Sequence, residues 1–309
     1  MKLSLALATY NEEKNIKACI ESCRGLVDEI VVVDGTSTDK TVAIAKSLGA
    51  KVIVTSNPSM FHLNKQKAID ACSGDWILQL DADERVTPEL AGEIKKVISM
   101  NEKELEIYEN NLSEKELFLK YEHVNQKGGG LSHFLSRQCS PKLRAVGIPE
   151  NSTPAFSNPN IVAFFIPRKN FFLGKYLRFG GVYPDGVIRL FKKGKAHLPC
   201  KDVHELMEVD GKVGWLQNPL EHIDSPTFKR YLERNNRYID HMVSNMKKLN
   251  KEKNLFNFID YMVIKPISWF FMTAIRHKGI LDGWQGIVFS FFSALRFPKA
   301  YWRYFMLQF

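Results

Sequence analysis

The residues best placed to do chemistry close the run Asp75-Trp76-Ile77-Leu78-Gln79-Leu80-Asp81-Ala82-Asp83-Glu84, where an apolar strand ends abruptly in carboxylates spaced two apart. Side chains two apart on an extended chain point the same way. Asp81 and Asp83 can therefore offer oxygens to one hard cation just beyond the strand's end. Such a cation needs an anionic partner, and a nucleotide diphosphate is the commonest one. An Asp-x-Asp after a strand also serves as a helix cap or an ordinary loop, so the reading depends on the elements around it.

Those elements alternate. Residues 3–8 read as a strand, followed by Asn11 as a helix cap, Glu12 and Glu13 in the first turn, and Ile16, Ile20 and Cys23 on the inner face. Residues 29–33 predict a second strand ended by Asp34-Gly35, and Ser37 or Thr38 caps a helix carrying Val42, Ala45 and Leu48 until Gly49 closes it. Residues 51–55 follow as a third strand, 65–71 as a helix and 76–80 as a fourth strand. Near-continuous apolar strands separated by helices predict a parallel sheet covered on both faces, with right-handed crossovers. In such sheets ligands bind outside the carboxyl ends of the strands, where Thr9-Tyr10-Asn11, Asp34-Gly35 and Asp81-Ala82-Asp83 stand. No Gly-x-Gly-x-x-Gly follows the first strand and no Gly-x-x-x-x-Gly-Lys-Ser/Thr occurs, which argues against a dinucleotide oxidoreductase and a P-loop enzyme.

Composition bounds the partners. The 309 residues suffice for one catalytic domain and an appendage. Lys and Arg number 43 against 34 Asp and Glu, a net charge of +9 that suits nucleic acid, anionic lipid or phosphorylated substrates. Basic segments with aromatics can bind nucleic acid, but no RNA- or DNA-binding module is present. The five cysteines form no Cys-x-x-Cys pair and lack zinc-site spacing, which predicts a reduced, cytoplasmic setting. Residues 1–8 mimic the start of a signal peptide, but the apolar run ends at Asn11-Glu12-Glu13, too soon for one.

Ala8-Thr9-Tyr10-Asn11-Glu12-Glu13, Val31-Val32-Val33-Asp34-Gly35-Thr36-Ser37-Thr38-Asp39 and Leu80-Asp81-Ala82-Asp83-Glu84 together resemble the family 2 inverting glycosyltransferases of GT-A fold. Arg189-Leu190-Phe191 and Val203-His204-Glu205 look like the subgroup that includes the bacterial lipopolysaccharide core β-1,4-glucosyltransferases. The resemblance implies a doubly wound, mostly parallel α/β sheet with helices on both faces, and Mn²⁺ or Mg²⁺ as cofactor. Thr9 and Asp34, with Asn11 and Glu12 beside them, match the positions that hold the base and ribose of a nucleotide sugar, usually uridine. Asp81, Ala82 and Asp83 match those at the ribose and the metal-bound diphosphate, with Asp83 ligating directly and Asp81 orienting ribose or a metal-bound water. Glu205 stands like the catalytic base, which takes the acceptor hydroxyl's proton and contributes roughly 10²- to 10⁴-fold. His204 orients Glu205 or binds a phosphate. His222 is a further candidate metal ligand, though most histidines simply satisfy local hydrogen bonds. Lys65 contacts phosphate or base, or lies on a solvated helix face; Arg189 pairs with the diphosphate or with an acidic neighbour.

Past Thr87-Pro88, a helix should run to about Met100, with a charged amphipathic stretch over 103–121. Gly128-Gly129-Gly130 and four prolines then mark a long irregular segment that is either a flap over the acceptor or a passive insertion. Residues 161–166 and 187–192 read as strands. The expected organisation is a catalytic domain over 1–226, made of a nucleotide-sugar half (1–100), the insertion (101–160) and an acceptor half (161–226), and a basic, aromatic-rich helical appendage over 227–309. Its apolar runs 256–275 and 284–297 are not convincing membrane crossings, because Asp260, Lys265 and Pro266 interrupt the first and the second is short. Such helices lie in an anionic membrane interface, or pack on the core or a second subunit.

The expected activity is metal-dependent, inverting transfer of a hexose from a nucleotide diphosphate sugar, a UDP-hexose by preference. The acceptor is a hydroxyl of a lipid-linked or lipopolysaccharide core glycan, reached from the inner-leaflet, cytoplasmic face of the membrane. A polyprenyl-phosphate glycosyltransferase and a non-catalytic membrane scaffold are the alternatives.

Overall fold

The computed structural model describes residues 1–126, 160–200 and 207–307, in two compact units. The first takes in residues 1–116 and the described parts of 154–168 and 186–222. Its strands are β1 (Leu3–Thr9), β2 (Glu29–Asp34), β3 (Lys51–Val54), β4 (Trp76–Leu80), β5 (Glu84–Arg85) and β6 (Ile161–Ile166), and, after the hairpin β7 (Arg168–Phe172) and β8 (Lys175–Leu177), β9 (Val187–Lys192), β10 (Ala196–His197), β11 (Glu208–Val209), β12 (Lys212–Trp215) and β13 (Leu220–Ser225). Seven of these form one sheet in the order β12-β6-β9-β4-β1-β2-β3. All neighbours run parallel except β9, which is antiparallel to both β4 and β6.

The apolar runs explain the layering. Leu3, Leu5 and Leu7 of β1 point into one core with the helices α1 (Ile16–Ser22) and, further along the chain, Pro88–Ser99; Ala6 points into a second core on the other face with His62–Asp70. Numbered in chain order, Thr41–Ser47 is α2, His62–Asp70 α3, Pro88–Ser99 α4, Glu102–Asn110 α5 and Lys115–Gln126 α6. Thr87 caps α4 by accepting from the Leu90 N–H at 3.2 Å, as the Thr-Pro pair predicts.

Three helix starts differ from expectation. α1 begins at Ile16, because Asn11 adopts a left-handed φ of 54° and its side-chain oxygen accepts from the Thr38 N–H at 2.9 Å instead of capping. α2 begins at Thr41, because Ser37 donates to Asp34 at 2.6 Å. Side chains that look like caps are consumed by the partner loop. The expected 103–121 stretch is two helices, α5 opened by an Asn101–Glu104 capping box and α6 starting at Lys115.

The second unit holds residues 117–126, β7 beyond Arg168, β8, the loop to Asp185 and residues 223–307, the last three residues of β13 among them. Its helices are α7 (Phe228–Lys248), α8 (Leu255–Arg276), α9 (Trp284–Ala294) and α10 (Arg296–Met306). The interruption expected at Asp260, Lys265 and Pro266 does not break α8. Asp260–Ile264 and Met272–Arg276 are π turns, and Lys265 Nζ meets Asp260 Oδ2, five residues back, at 2.6 Å. The wider turns have a second effect. On a 3.6-residue helix a row of every fourth residue drifts around the axis, and the π turns take that drift back, so Asn257, Tyr261, Trp269 and Thr273 stay on one buried face. Tyr261 and Trp269 pack there with Ile239 of α7 and with Phe297 and Tyr301 of α10.

Candidate active site

Adjacent parallel strands bring three clusters to one edge of the sheet in the first unit. β1 pairs β2 with Thr9 opposite Asp34, and pairs β4 with Leu7 opposite Leu80, so Thr9 and Asp81 leave the sheet on neighbouring strands. At the β1–β2 end, Thr9 Oγ1 donates to Asp34 Oδ1 at 2.9 Å, and the Ser37 N–H and Oγ add bonds of 2.8 and 2.6 Å. Asp34 is fully buried. Asn11 and Glu12 stand beside this cluster, their backbone N–H groups donating to Ser37 Oγ and Thr41 Oγ1 at 2.8 Å each. A close approach fixes the turn that follows, since a side-chain carbon added at Gly35 would meet Asn57 Oδ1 at 3.0 Å.

The second cluster surrounds Asp81. Lys65 Nζ, from α3, lies 2.5 Å from its Oδ1, and an Arg189 guanidinium nitrogen, from β9, lies 2.6 Å from its Oδ2. The same nitrogen of Arg189 reaches the fully buried Glu84 at 2.8 Å, and the other donates to Gln79. Arg168 contacts Glu84 at 3.2 Å, while the other Glu84 oxygen accepts from the Asp81 N–H at 2.9 Å. Burial pushes the Asp81 carboxyl up, but Arg189 and then Lys65 outweigh it and hold it well below the usual carboxylate range.

Asp83 faces the third group. β13 pairs antiparallel with β5, placing His222 opposite Glu84, and His222 Nε2 comes 3.5 Å from Asp83 Oδ2. Ala82 between the aspartates is buried, its carbonyl held by Arg85 at 2.7 Å. A carboxylate oxygen and an imidazole nitrogen side by side are donor types that would suit a divalent metal, with substrate oxygens and water completing its shell. Both Asp81 oxygens are engaged by cations, while Asp83 Oδ2 faces His222. Among the described residues no cluster of three or more His, Cys, Asp or Glu could hold an ion on its own.

Lys65 is not on a solvated face; it spans from Phe61, whose ring centroid lies 5.2 Å away, to Asp81. Arg189 pairs with the acidic neighbours Asp81 and Glu84 rather than standing open toward a diphosphate. Glu205 and His204 lie outside the described residues. Sequence reasoning missed Gln79, Glu84 and Arg168. Glu84 and Gln79 carried a signal, being polar residues in or against a buried strand; Arg168, about eighty residues away, carried none.

Likeness to known proteins is concentrated in the first part of the chain. The model of glycosyl transferase family 2 matches residues 4–147. The chain is similar to an uncharacterized glycosyltransferase of Rickettsia bellii, 42% identical over 99 residues that make up 32% of this chain and 33% of that protein. It is also similar to the glycosyltransferase SunS of Bacillus phage SPbeta, 34% identical over 97 residues, 31% of this chain and 23% of that one. Among solved structures, glucosyl-3-phosphoglycerate synthase of Mycobacterium tuberculosis with Mn²⁺, UDP and glucosyl-3-phosphoglycerate matches at 31% identity over 27% of this chain and 34% of that one, with a TM-score of 0.24. The chain spans about a third or less of the length of the curated relatives it matches. The likeness to glycosyl transferase family 2 thus falls on residues 4–147, just under half of the chain.

Proposed function

We propose that this chain is a metal-dependent, inverting glycosyltransferase that moves a hexose from a nucleotide diphosphate sugar, a UDP-sugar by preference, to a hydroxyl of a lipid-linked or lipopolysaccharide core glycan at the cytoplasmic face of a membrane. The observation that carries the donor half is the charge inventory at the sheet's edge. Lys65, Arg85, Arg168 and Arg189 stand with Asp34, Asp81, Asp83 and Glu84 at this end of the sheet, four charges of each sign, and His222 adds no charge when neutral. A nucleotide diphosphate sugar brings two negative charges and a divalent ion two positive ones, so both together keep the site neutral, whereas either alone leaves an uncompensated charge in a partly dry place.

Asp83 and His222 are the residues that would hold the ion, which supplies neutralisation of the charge growing on the departing nucleotide. Thr9 and Asp34 orient the nucleoside, while Lys65 and Arg189 fix the Asp81 carboxylate that orients the ribose. Glu205 takes the acceptor hydroxyl's proton as the bond to the sugar forms, and attack opposite the leaving nucleotide inverts the anomeric centre. The test is a panel of UDP-, GDP- and dTDP-sugars with the purified chain, with and without Mn²⁺. The expected result is nucleotide release confined to the metal-containing samples and strongest with a UDP-hexose. Release at the same rate after exhaustive chelation would overturn the reading.

A further inference from the structure

Residues 227–309 contain 14 of the Lys and Arg and 5 of the Asp and Glu, leaving 29 of each in residues 1–226, so the chain's whole excess of +9 resides in this segment. The same segment carries an exposed apolar row. Phe256, Ile259, Val263, Ile267, Phe271 and Ile275 recur along α8 at steps of three or four on the face opposite its buried one, with Phe256 73% and Phe271 57% exposed. Ile280, Leu281 and Trp284 continue the exposed apolar surface around the turn into α9. Surfaces in contact only with water do not carry so long a continuous row.

We propose that this unit docks on an anionic lipid bilayer, with α8 lying along the interface, its apolar row in the acyl boundary and Arg276 and Lys278 among the headgroups. α8 is long and apolar enough to cross a membrane. Crossing is disfavoured by what stands behind it: its buried face packs on α7 and α10, which expose Arg237, Lys247, Lys248, Lys299 and the Arg303–Asp240 pair to solvent. Crossing would draw these charges into hydrocarbon, whereas lying flat buries only the apolar row and leaves them in water. Charge also selects the occupant. A second copy would present the same positive excess, and a nucleic acid would have no use for the apolar row, while an anionic bilayer matches both features. The inference rests on the proposed function only for the lipid character of the acceptor.

Flotation of the full chain with vesicles of phosphatidylcholine, alone or mixed with phosphatidylglycerol, tests it. Binding should be about tenfold tighter on the mixed vesicles, should weaken with added salt, and should fall a further tenfold or so in an Ile267→Asn/Phe271→Asn variant. The melting response of that variant to UDP with Mn²⁺ should match wild type, showing that the fold is intact. Equal or absent binding on both vesicle types would overturn the proposal. So would a wild-type dimer that the double variant dissolves. Vesicle binding retained without any UDP response would sink the proposed reaction and leave the docking standing.

Discussion

Replacing Arg189 with Met tests the cluster that ties β9 to the end of β4. The substitution keeps most of the apolar stem and removes the bonds to Gln79, Asp81 and Glu84. Asp81 then keeps Lys65, and the fully buried Glu84 keeps Arg168 at the longer distance of 3.2 Å. Removing one partner of a buried ion pair costs about 3–5 kcal/mol, because the remaining charge stays desolvated. For a domain of this class each kcal/mol lowers the melting temperature by about 2–4 °C, so the variant should melt roughly 6–20 °C below wild type at neutral pH. The pH dependence gives a second, independent reading. The folded-state value of Asp81 is depressed, so its contribution is complete above the ordinary carboxylate value of about 3.9 and is lost as the pH falls through the lower folded value. With Arg189 gone, burial counts for more and the Asp81 value rises. The variant should therefore lose less stability than wild type as the pH falls, and the gap between their melting temperatures should narrow below about pH 4. Circular dichroism melts from pH 3 to 8 measure both effects. A melting temperature within a degree or two of wild type at pH 7, or a gap that widens in acid, would refute the argument.

Three further outcomes are expected. His222→Ala should abolish the Mn²⁺-dependent part of the UDP melting shift while leaving the ligand-free melting temperature within about 3 °C of wild type, as differential scanning fluorimetry would record. Glu205→Gln should lower turnover by roughly 10²- to 10⁴-fold with little change in donor binding, and near-normal turnover would point to an acceptor that is already anionic. Gly286→Ala should destabilise the second unit by about 1–3 kcal/mol or more in thermal or denaturant unfolding, because the added carbon would stand 1.9 Å from the Gly279 carbonyl oxygen, a backbone atom with nowhere to move.

Much of the donor-side architecture was readable from local pattern. β1, β2 and β4 are largely buried and read as near-continuous apolar runs, and each ends in polar residues because a parallel sheet opens to ligands there. Thr9, Asp34, Asp81 and Asp83 could thus be named before any coordinates. Helix starts were less legible, since Asn11 and Ser37 satisfy a neighbouring loop and Asp34 instead of capping their own helices. In α8 the charges and proline that look like an interruption are absorbed by a π turn whose ends form an ion pair.

The sequence by itself determined which strand ends carry chemistry, because alternation of buried strand and helix is a local property repeated along the first hundred residues. Only the tertiary structure decided what those ends touch. β9 inserts antiparallel between β4 and β6 and delivers Arg189 to Asp81 from 108 positions away, and the short β5–β13 pairing brings His222 to Asp83. Such contacts depend on strand order and register, which are set by the packing of the whole sheet and leave no trace in the spacing of neighbouring residues.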